Sequence, residues 1–317
     1  MHKPAPRLFK RHPANPLLHA ALWPYPVNSV FNAAAAQVGD ETVLLTRVED
    51  MRGISHLNVA RSPDGVGGWR IDPTPTLMAD PDKHPEEIWG IEDPRVVFLE
   101  EMNRWAVCYV AYSRGGPLVS LALTDDFRTF DRVGPITPPE DKDAALFPRK
   151  IGDRWVLVHR PITSFQGPEQ HIWISHSPDL KHWGDHKILL HSRSGSWWDA
   201  YKIGLGPPPL ETAEGWLMMY HGVRVTASGA LYRAGLALLD IDDPTKVLRR
   251  TDEWVFAPRE PYERYGDVGD VVFPCGWIYD EDQDRIRLYY GAADTCLALA
   301  TAKMSDVLDY ILACPKP

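Results

Sequence analysis

The chain has 317 residues, of which 44% are hydrophobic and 24% charged, with a formal net charge of -9. This acidic balance argues against a nucleic-acid-binding protein, which usually carries a basic patch, and no stretch approaches the roughly 20 apolar residues that span a bilayer. The N-terminus lacks the apolar run of a signal peptide, and the four cysteines have no CxxC or zinc spacing, so we expect a cytoplasmic protein with free thiols.

Short strand-like runs follow turns rich in Gly, Asn or Asp and recur along the chain. The first type of run occurs at 41–46, 105–110, 155–159, 216–220 and 285–290. A second type follows each of them, at 57–64, 121–127, 172–180, 235–240 and 297–302. Five strand pairs recurring at about 50 to 65 residues predict an all-β fold, a five-bladed β-propeller. A β-sandwich with coincidental spacing is the alternative.

The repeats extend over the whole chain without a linker that would divide it. We therefore predict one propeller domain over residues 1–317, with a short N-terminal arm and a C-terminal closing segment. Residues 305–311 have two interpretations, a short helix or part of that closing segment.

The segment 90–96 contains two adjacent carboxylates, a proline and an arginine. Because a proline biases the residue before it to extended backbone, Pro94 predicts that Asp93 is held rigidly at the start of a strand. A fixed carboxylate at a strand mouth suits acid catalysis. It equally suits a buried ion pair with Arg95, and the segment alone leaves both interpretations open.

Several basic residues stand at the ends of apolar runs, where a propeller would present them to its central channel. They are Arg149, Arg160, Lys202 and His221. If they converge, they repel one another unless an anion lies among them, and guanidinium groups match phosphate oxygens well. The alternative is that each cation pairs with a local carboxylate, such as Asp143 or Asp199.

An acid that faces a cationic cluster favours one reaction class. An inverting glycosidase needs a general acid and a second carboxylate that activates water. Phosphate is already an anion at neutral pH, so cations can take the place of that second carboxylate. The reaction would be phosphorolysis, in which a glycoside and phosphate give a sugar 1-phosphate and a released sugar.

Motifs spread along nearly the whole chain resemble glycoside hydrolase family 130, the β-mannoside phosphorylases and related β-mannosidases. The matching segments are 30–32, 47–50, 90–95, 146–149, 159–161, 197–198, 202–204, 206–208, 220–223 and 290–295. Their order along the chain makes the match specific, although no single motif would establish it.

The resemblance implies a five-bladed propeller in which Asp93 is the general acid and acts through a hydroxyl of the mannose. It implies phosphate ligands at Arg149, Arg160 and Lys202, with His221 and Tyr220 close by. It implies mannose-binding residues at Asn32, Arg47 and Asp294. The hydrolytic members lack the basic set, so its presence here favours a phosphorylase.

We therefore predict inverting phosphorolysis of a β-1,2- or β-1,4-manno-oligosaccharide, or of mannosyl-N-acetylglucosamine, giving α-mannose 1-phosphate and a shortened acceptor. Inorganic phosphate is the expected co-substrate, with no other cofactor and no metal. Two alternatives stay open: a β-mannosidase with Asp143 or Asp270 as its base, and a non-catalytic glycan-binding propeller. The acid motif leans towards β-1,2-mannosides.

The sequence also suggests which segments contact the acceptor. We expect the region after Ser55 and the loop 163–167 to shape that part of the site. The resemblance is compatible with a homo-oligomer, and the oligomeric state is left open.

Overall fold

The computed structural model describes residues 7–162, 169–227 and 229–317, so the loop 163–167 that we expect near the acceptor lies outside the described residues. Two short strands come first, β1 (Lys10–Arg11) and β2 (Leu18–His19). Blade A consists of β3 (Ser29–Val38), β4 (Glu41–Glu49), β5 (Ser55–Ser62) and β6 (Arg70–Ile71). Blade B consists of β7 (Ile91–Leu99), β8 (Arg104–Ser113), β9 (Gly116–Thr124) and β10 (Asp131–Pro135). Blade C consists of β11 (Asp141–Leu146), β12 (Trp155–Pro161), β13 (Ile172–Ser177) and β14 (Gly184–Leu190).

Two further blades follow. Blade D consists of β15 (Lys202–Leu205), β16 (Leu210–Thr212), β17 (Gly215–Thr226), β18 (Gly229–Leu239) and β19 (Val247–Arg250). Blade E consists of β20 (Val272–Asp280), β21 (Arg285–Ala292) and β22 (Cys296–Lys303). The helices are α1 (Pro261–Arg264) and α2 (Met304–Leu312), with short 3-10 turns at Ala20–Leu22, Pro85–Glu87 and Glu281–Gln283. Neither α-helix of the described ranges is long and apolar enough to cross a membrane.

The five sheets stand in a ring, which confirms the predicted five-bladed β-propeller. The innermost strands β20, β3, β7, β11 and β15 contact one another in that order, and blade D contacts β20 through β18. Counted outward from the axis, the first type of apolar run lies in the second strand of each blade (β17 in blade D), and the second type lies in the third strand. The repeated strand pairs were therefore the middle of each blade.

Each hydrophobic cluster joins two neighbouring blades. Successive side chains of a strand point to opposite faces, so one strand packs against both neighbours. In β17, Trp216 and Met218 pack in the cluster shared with blade C, whereas Leu217 and Met219 pack in the cluster shared with blade E. Burial of both faces explains why these strands have continuous apolar runs rather than alternating ones.

The ring is closed by the N-terminal arm. β1 pairs with β22 as the outermost strand of blade E, with Lys10 opposite Thr301 and Arg11 opposite Ala300. Nε of Arg11 also donates to Oε1 of the buried Glu263 (2.6 Å). Of the two interpretations of residues 305–311, the helix is correct, because the exposed edge of β22 is already covered by the arm.

Candidate active site

Four innermost strands carry a β-bulge close to their first residues, at what we call the site end of the propeller, and three of these bulges hold polar side chains. These three contain Asn32 in β3, Asp93 in β7 and Asp143 in β11. All three residues have left-handed backbone, with φ of 47°, 48° and 54°. Such conformations are uncommon outside glycine and cluster at functional sites, and a bulge re-aims the side chain that it carries.

The extended backbone predicted for Asp93 from Pro94 is wrong, because Asp93 lies in a bulge with left-handed backbone. Asn32 and Asp143 adopt the same conformation without a following proline. The left-handed conformation therefore accompanies a bulge that carries Asn or Asp, residues that favour it, since the bulge at Cys275 of β20 lacks it.

The Asp93 carboxylate is buried among cations and an amide. Its Oδ1 accepts hydrogen bonds from Nδ2 of Asn32 (2.9 Å) and Nη1 of Arg47 (2.9 Å), and Nζ of Lys142 lies 4.0 Å from its Oδ2. Burial raises the pKa of Asp93, but the charges of Arg47, Lys142 and Arg95 outweigh that effect and hold the pKa below its usual value. Asp93 is therefore ionised at neutral pH when the site is empty.

Of the two interpretations of segment 90–96, an ion pair between Arg95 and the carboxylate of Asp93 is not formed. Arg95 donates instead to the backbone oxygen of Asp93 (3.1 Å) and to those of Leu205 (2.9 Å) and Gly206 (2.8 Å), with Asp143 3.5 Å away. Arg95 thus fastens the acid-bearing strand of blade B to blade D. The carboxylate of Asp93 stays directed towards the cations.

Two further predicted residues lie beside Asp93. Arg47 donates to Asp93, to Oε1 of Glu92 (3.1 Å) and to Oγ of Ser55 (2.9 Å). Asp294 lies in the turn between β21 and β22, and burial together with the charge of Asp93 raises its pKa to about 6, although Arg47 opposes the shift. The two acids therefore have pKa values displaced in opposite directions, a pattern found at sites of proton transfer.

The raised pKa of Asp294 predicts a pH-dependent loss of stability. The folded carboxyl, with a pKa of about 6 against an ordinary 3.8, binds more protons than the unfolded one, so its contribution falls as pH rises from about 4 to about 6. We expect Asp294→Asn to remove this pH-dependent loss. Relative to the wild type, its free energy of unfolding should rise by up to about 3 kcal/mol between pH 4 and 7. Urea unfolding of both proteins at several pH values measures it. A pH-independent difference would contradict the assignment.

The second group of predicted residues gathers around the buried Asp143. Nε and Nη2 of Arg160 both lie 2.8 Å from Oδ2 of Asp143, and Nε2 of His221 lies 3.6 Å from the same oxygen. Burial lowers the pKa of His221 to about 3, although Asp143 opposes the shift, so the imidazole is neutral. A Cβ atom at Gly204 would collide with both Asp143 and His221, which explains the glycine there.

Lys202 adds a positive charge without a carboxylate of its own. It forms no ion pair with any residue in the described ranges, and its Nζ lies 5.5 Å from the ring centre of Tyr232. Burial and the charge of Arg160 lower the pKa of Lys202, whereas Asp143 opposes that shift. The ammonium is therefore partly desolvated and close to a second cation.

Sequence reasoning missed Lys142 and Tyr232. Lys142 stands opposite Arg160 in the β11–β12 register and faces Asp93. Tyr232 packs against His221 at 6.0 Å between ring centres, and both Lys142 and Asp294 influence its pKa, which burial raises. The sequence gives no direct sign of Lys142, because Lys142 adjoins a bulge that the sequence does not reveal.

Arg149 was predicted as a phosphate ligand, but the structure places it elsewhere. It follows β11, whose first residues lie at the site end, and so it stands beyond the opposite end of that strand. Its guanidinium pairs with Glu211 through contacts of 2.8 and 2.7 Å. Arg149 therefore does not join the cluster around Asp143.

Tyr220 is likewise directed away from the cluster. Tyr220 and His221 are adjacent in β17, so their side chains point to opposite faces of the sheet. The Tyr220 hydroxyl donates to Oδ2 of Asp199 (3.0 Å) and accepts from Nε of Arg250 (3.1 Å) within the packing of blade D. We leave both Arg149 and Tyr220 out of the proposed phosphate site.

One group with metal-ligand spacing occurs in the part of the chain that the structure describes. It comprises His84, Glu86 and Glu87. Glu87 already accepts from the Tyr109 hydroxyl (2.7 Å) and from Nε of Arg132 (3.2 Å). These bonds account for Glu87 as a buried ion pair, so we assign no metal there.

Comparison with known proteins places this geometry in a family. The model of glycoside hydrolase family 130, described as β-1,4-mannooligosaccharide phosphorylase, matches residues 10–312. The chain is similar to the β-1,4-mannooligosaccharide phosphorylase of Ruminococcus albus, with 38% identity over 307 residues, 95% of this chain and 90% of that protein. It is also similar to the β-1,2-mannobiose phosphorylase of Listeria innocua, with 38% identity over 258 residues, 81% of this chain and 69% of that protein.

Solved structures give the same result. The structure of the Listeria innocua β-1,2-mannobiose phosphorylase in complex with β-1,2-mannobiose superposes with a TM-score of 0.86 and 31% identity, covering 96% of this chain and 99% of that one. The resemblance seen in the motifs is thereby confirmed, and the chain belongs to glycoside hydrolase family 130.

Proposed function

We propose that this chain is an inverting β-mannoside phosphorylase, which transfers a mannosyl group from a β-linked manno-oligosaccharide to inorganic phosphate. The observation that carries the proposal is the excess of positive charge at the site end. Arg160, Lys202 and Lys142 lie among two buried carboxylates, Asp143 and Asp93, and Lys202 forms an ion pair with neither. A bound phosphate would balance this charge and accept hydrogen bonds from all three cations.

The other half of the site suits a mannose unit. Asn32, Arg47 and Asp294 offer amide, guanidinium and carboxyl groups around Asp93, the proposed acid. Phosphate attacks the anomeric carbon as the bond to the leaving oxygen breaks. That oxygen takes the proton from Asp93 through a mannose hydroxyl, and α-mannose 1-phosphate and a shortened acceptor result.

Asp93 must gain a proton before it can act. It is ionised in the empty site partly because of Lys142, whose Nζ is 4.0 Å away. A phosphate beside Lys142 would weaken that attraction and favour protonation of Asp93. Binding of the co-substrate would therefore help to prepare the acid.

The geometry gives less support to hydrolysis. Asp143, one suggested base, is buried and held by Arg160 and Arg95. Burial raises its pKa, but the charges of Arg160, Lys142 and Arg95 outweigh that effect and hold the pKa far below its usual value. Asp270, the other suggested base, is exposed after α1. Neither has the environment of a carboxylate poised to activate water.

The relatives guide the choice of substrates to test. Their names include β-1,4-mannooligosaccharide, β-1,2-mannobiose and 4-O-β-D-mannosyl-D-glucose phosphorylases. We propose β-1,4- or β-1,2-linked manno-oligosaccharides as the substrate class and phosphate as the co-substrate, without another cofactor. A cytoplasmic location is also proposed, since the four cysteines carry free thiols.

The decisive experiment compares cleavage of β-1,4- and β-1,2-mannobiose with and without phosphate. We expect mannose 1-phosphate to form only when phosphate is present, and nuclear magnetic resonance of the product should show the α anomer. Release of free mannose at an equal rate without phosphate would contradict the proposal and favour a β-mannosidase.

Lys202→Met tests the cation cluster directly. Because Lys202 has no ion-pair partner among the described residues, its loss should leave folding largely intact. The loss of one buried cation from the phosphate site should raise the KM for phosphate by about 100-fold, which corresponds to about 2.8 kcal/mol of binding free energy. Lys246→Met, which removes an exposed lysine paired with Asp243, is the matched control. Equal phosphate KM values in the two variants would remove Lys202 from the site.

A further inference from the structure

A groove runs outward from the proposed active site along blade D. Its inner part is a cavity of about 370 Å³ lined by Tyr232, Arg233 and Trp254, and its outer part is a cavity of about 620 Å³ lined by Arg233, Trp254 and Trp197. Arg233 and Trp254 line both cavities, so the two are adjoining parts of one groove. Tyr232 connects the groove to Lys202 and His221.

The groove exposes flat aromatic surface. Trp197 is 42% and Trp254 is 37% exposed, although large aromatic side chains are usually more deeply buried. A guanidinium lies against each indole ring, with Arg193 4.1 Å from the ring centre of Trp197 and Arg233 3.9 Å from that of Trp254. Each pair forms a rigid wall that combines an apolar surface with hydrogen-bond donors at its edge.

Arg233 supplies the donors. It is half-buried, yet it makes no hydrogen bond or ion pair with a side chain or backbone group that the structure describes. A ligand with many acceptor oxygens would satisfy these N–H groups.

The charge of the outer part of the groove favours a neutral ligand, whereas the inner part carries more positive charge, since Arg233, Arg259 and Arg264 line it with Asp270. Two arginines and two acids line the outer cavity, namely Arg224, Arg233, Asp252 and Glu253. Because the charges balance, an anion gains little there, in contrast to the cluster at Lys202. A pyranose ring has an apolar face for an indole and hydroxyls for charged neighbours, so sugar units fit this lining.

We propose that the groove from Tyr232 past Trp254 to Trp197 binds the sugar units of a manno-oligosaccharide beyond the pair between which the bond is cleaved. The inference rests on the proposed function, because it assigns an additional binding region to the same substrate. Longer chains would then gain contacts with Trp254 and Trp197 that a disaccharide lacks, which would make the enzyme selective for chain length.

The test compares β-mannobiose with β-mannotetraose as substrates for the wild type, Trp254→Ala and Arg233→Met. For the variants we expect kcat/KM for the tetraose to fall about tenfold through KM, the effect of truncating an aromatic or arginine anchor, while mannobiose changes less than about twofold. Trp183→Ala, in the turn between β13 and β14, is the control for loss of a surface indole. Thermal melts of all variants exclude unfolding as the cause.

The outcomes separate this inference from the proposed function. If the wild type cleaves both substrates with phosphate but Trp254→Ala affects them equally, the groove is not a sugar-binding region and the phosphorylase proposal stands. If the variants raise only the phosphate KM, the groove serves the anion and the inference is overturned. If no substrate is cleaved, calorimetric titration of mannotetraose into wild type and Trp254→Ala still decides the inference, and equal affinities would refute it.

Discussion

Asp93→Asn is expected to reduce phosphorolysis by about 10³-fold, within the range for loss of a general acid. Asparagine accommodates left-handed backbone and can still accept from Asn32 and Arg47, so the bulge and the sugar-binding groups should persist. The loss should therefore appear in kcat, with the KM for phosphate nearly unchanged. Initial rates of mannose 1-phosphate formation at varied phosphate measure both constants.

Glu92→Gln is the matched control for this variant. Glu92 is the neighbouring carboxylate and also accepts from Arg47, at 3.1 Å, but it lies farther from the other cations. The glutamine amide oxygen can still accept from Arg47, so the loss of activity should stay below about tenfold. Similar losses in the two variants would mean that Asp93 acts by holding Arg47 and not by giving a proton.

Arg160→Met is expected to impair both stability and phosphate binding. It removes both contacts to Asp143 and leaves that buried carboxylate without its main partner, which typically costs about 3–5 kcal/mol. It also removes one cation of the proposed phosphate site, so the phosphate KM should rise at least about 100-fold. Urea unfolding and steady-state kinetics measure the two effects separately.

A second substitution divides those effects. Asp143→Asn in the Arg160→Met background removes the buried charge that has lost its main partner, so much of the lost stability should return. Phosphate affinity should not return, because the guanidinium is still missing. Recovery of phosphate affinity together with stability would show that Arg160 only supports the fold.

The blades were predictable because their middle strands carry a strong signal. Strands such as β17, with Trp216 to Tyr220, are buried on both faces and therefore read as continuous apolar runs between turns. The outermost strands gave little signal, since β1 and β6 contain only two residues each. Closure by β1 depends on a pairing with Thr301, far away in the sequence, which no local pattern indicates.

The candidate site was predictable in part for a similar reason. Asp93, Arg160, Lys202 and His221 stand next to apolar runs, and the structure brings them to one end of the ring. Arg149 also adjoins a run, but at the opposite end of its strand. A position next to an apolar run indicates that a charged residue lies at a strand end. It does not indicate whether that end faces the site.

The sequence by itself determined the number of blades, the family and the presence of an acid opposite several cations. These properties depend on residue types and spacing, which are local. Only the tertiary structure decided that Asn32 and Arg47 hold Asp93, that Arg95 holds its backbone, and that Lys142 lies beside Asp93 while Arg149 lies at the opposite end of its strand. Those choices depend on bulges and on contacts between blades, where a shift of one residue turns a side chain to the other face of its sheet.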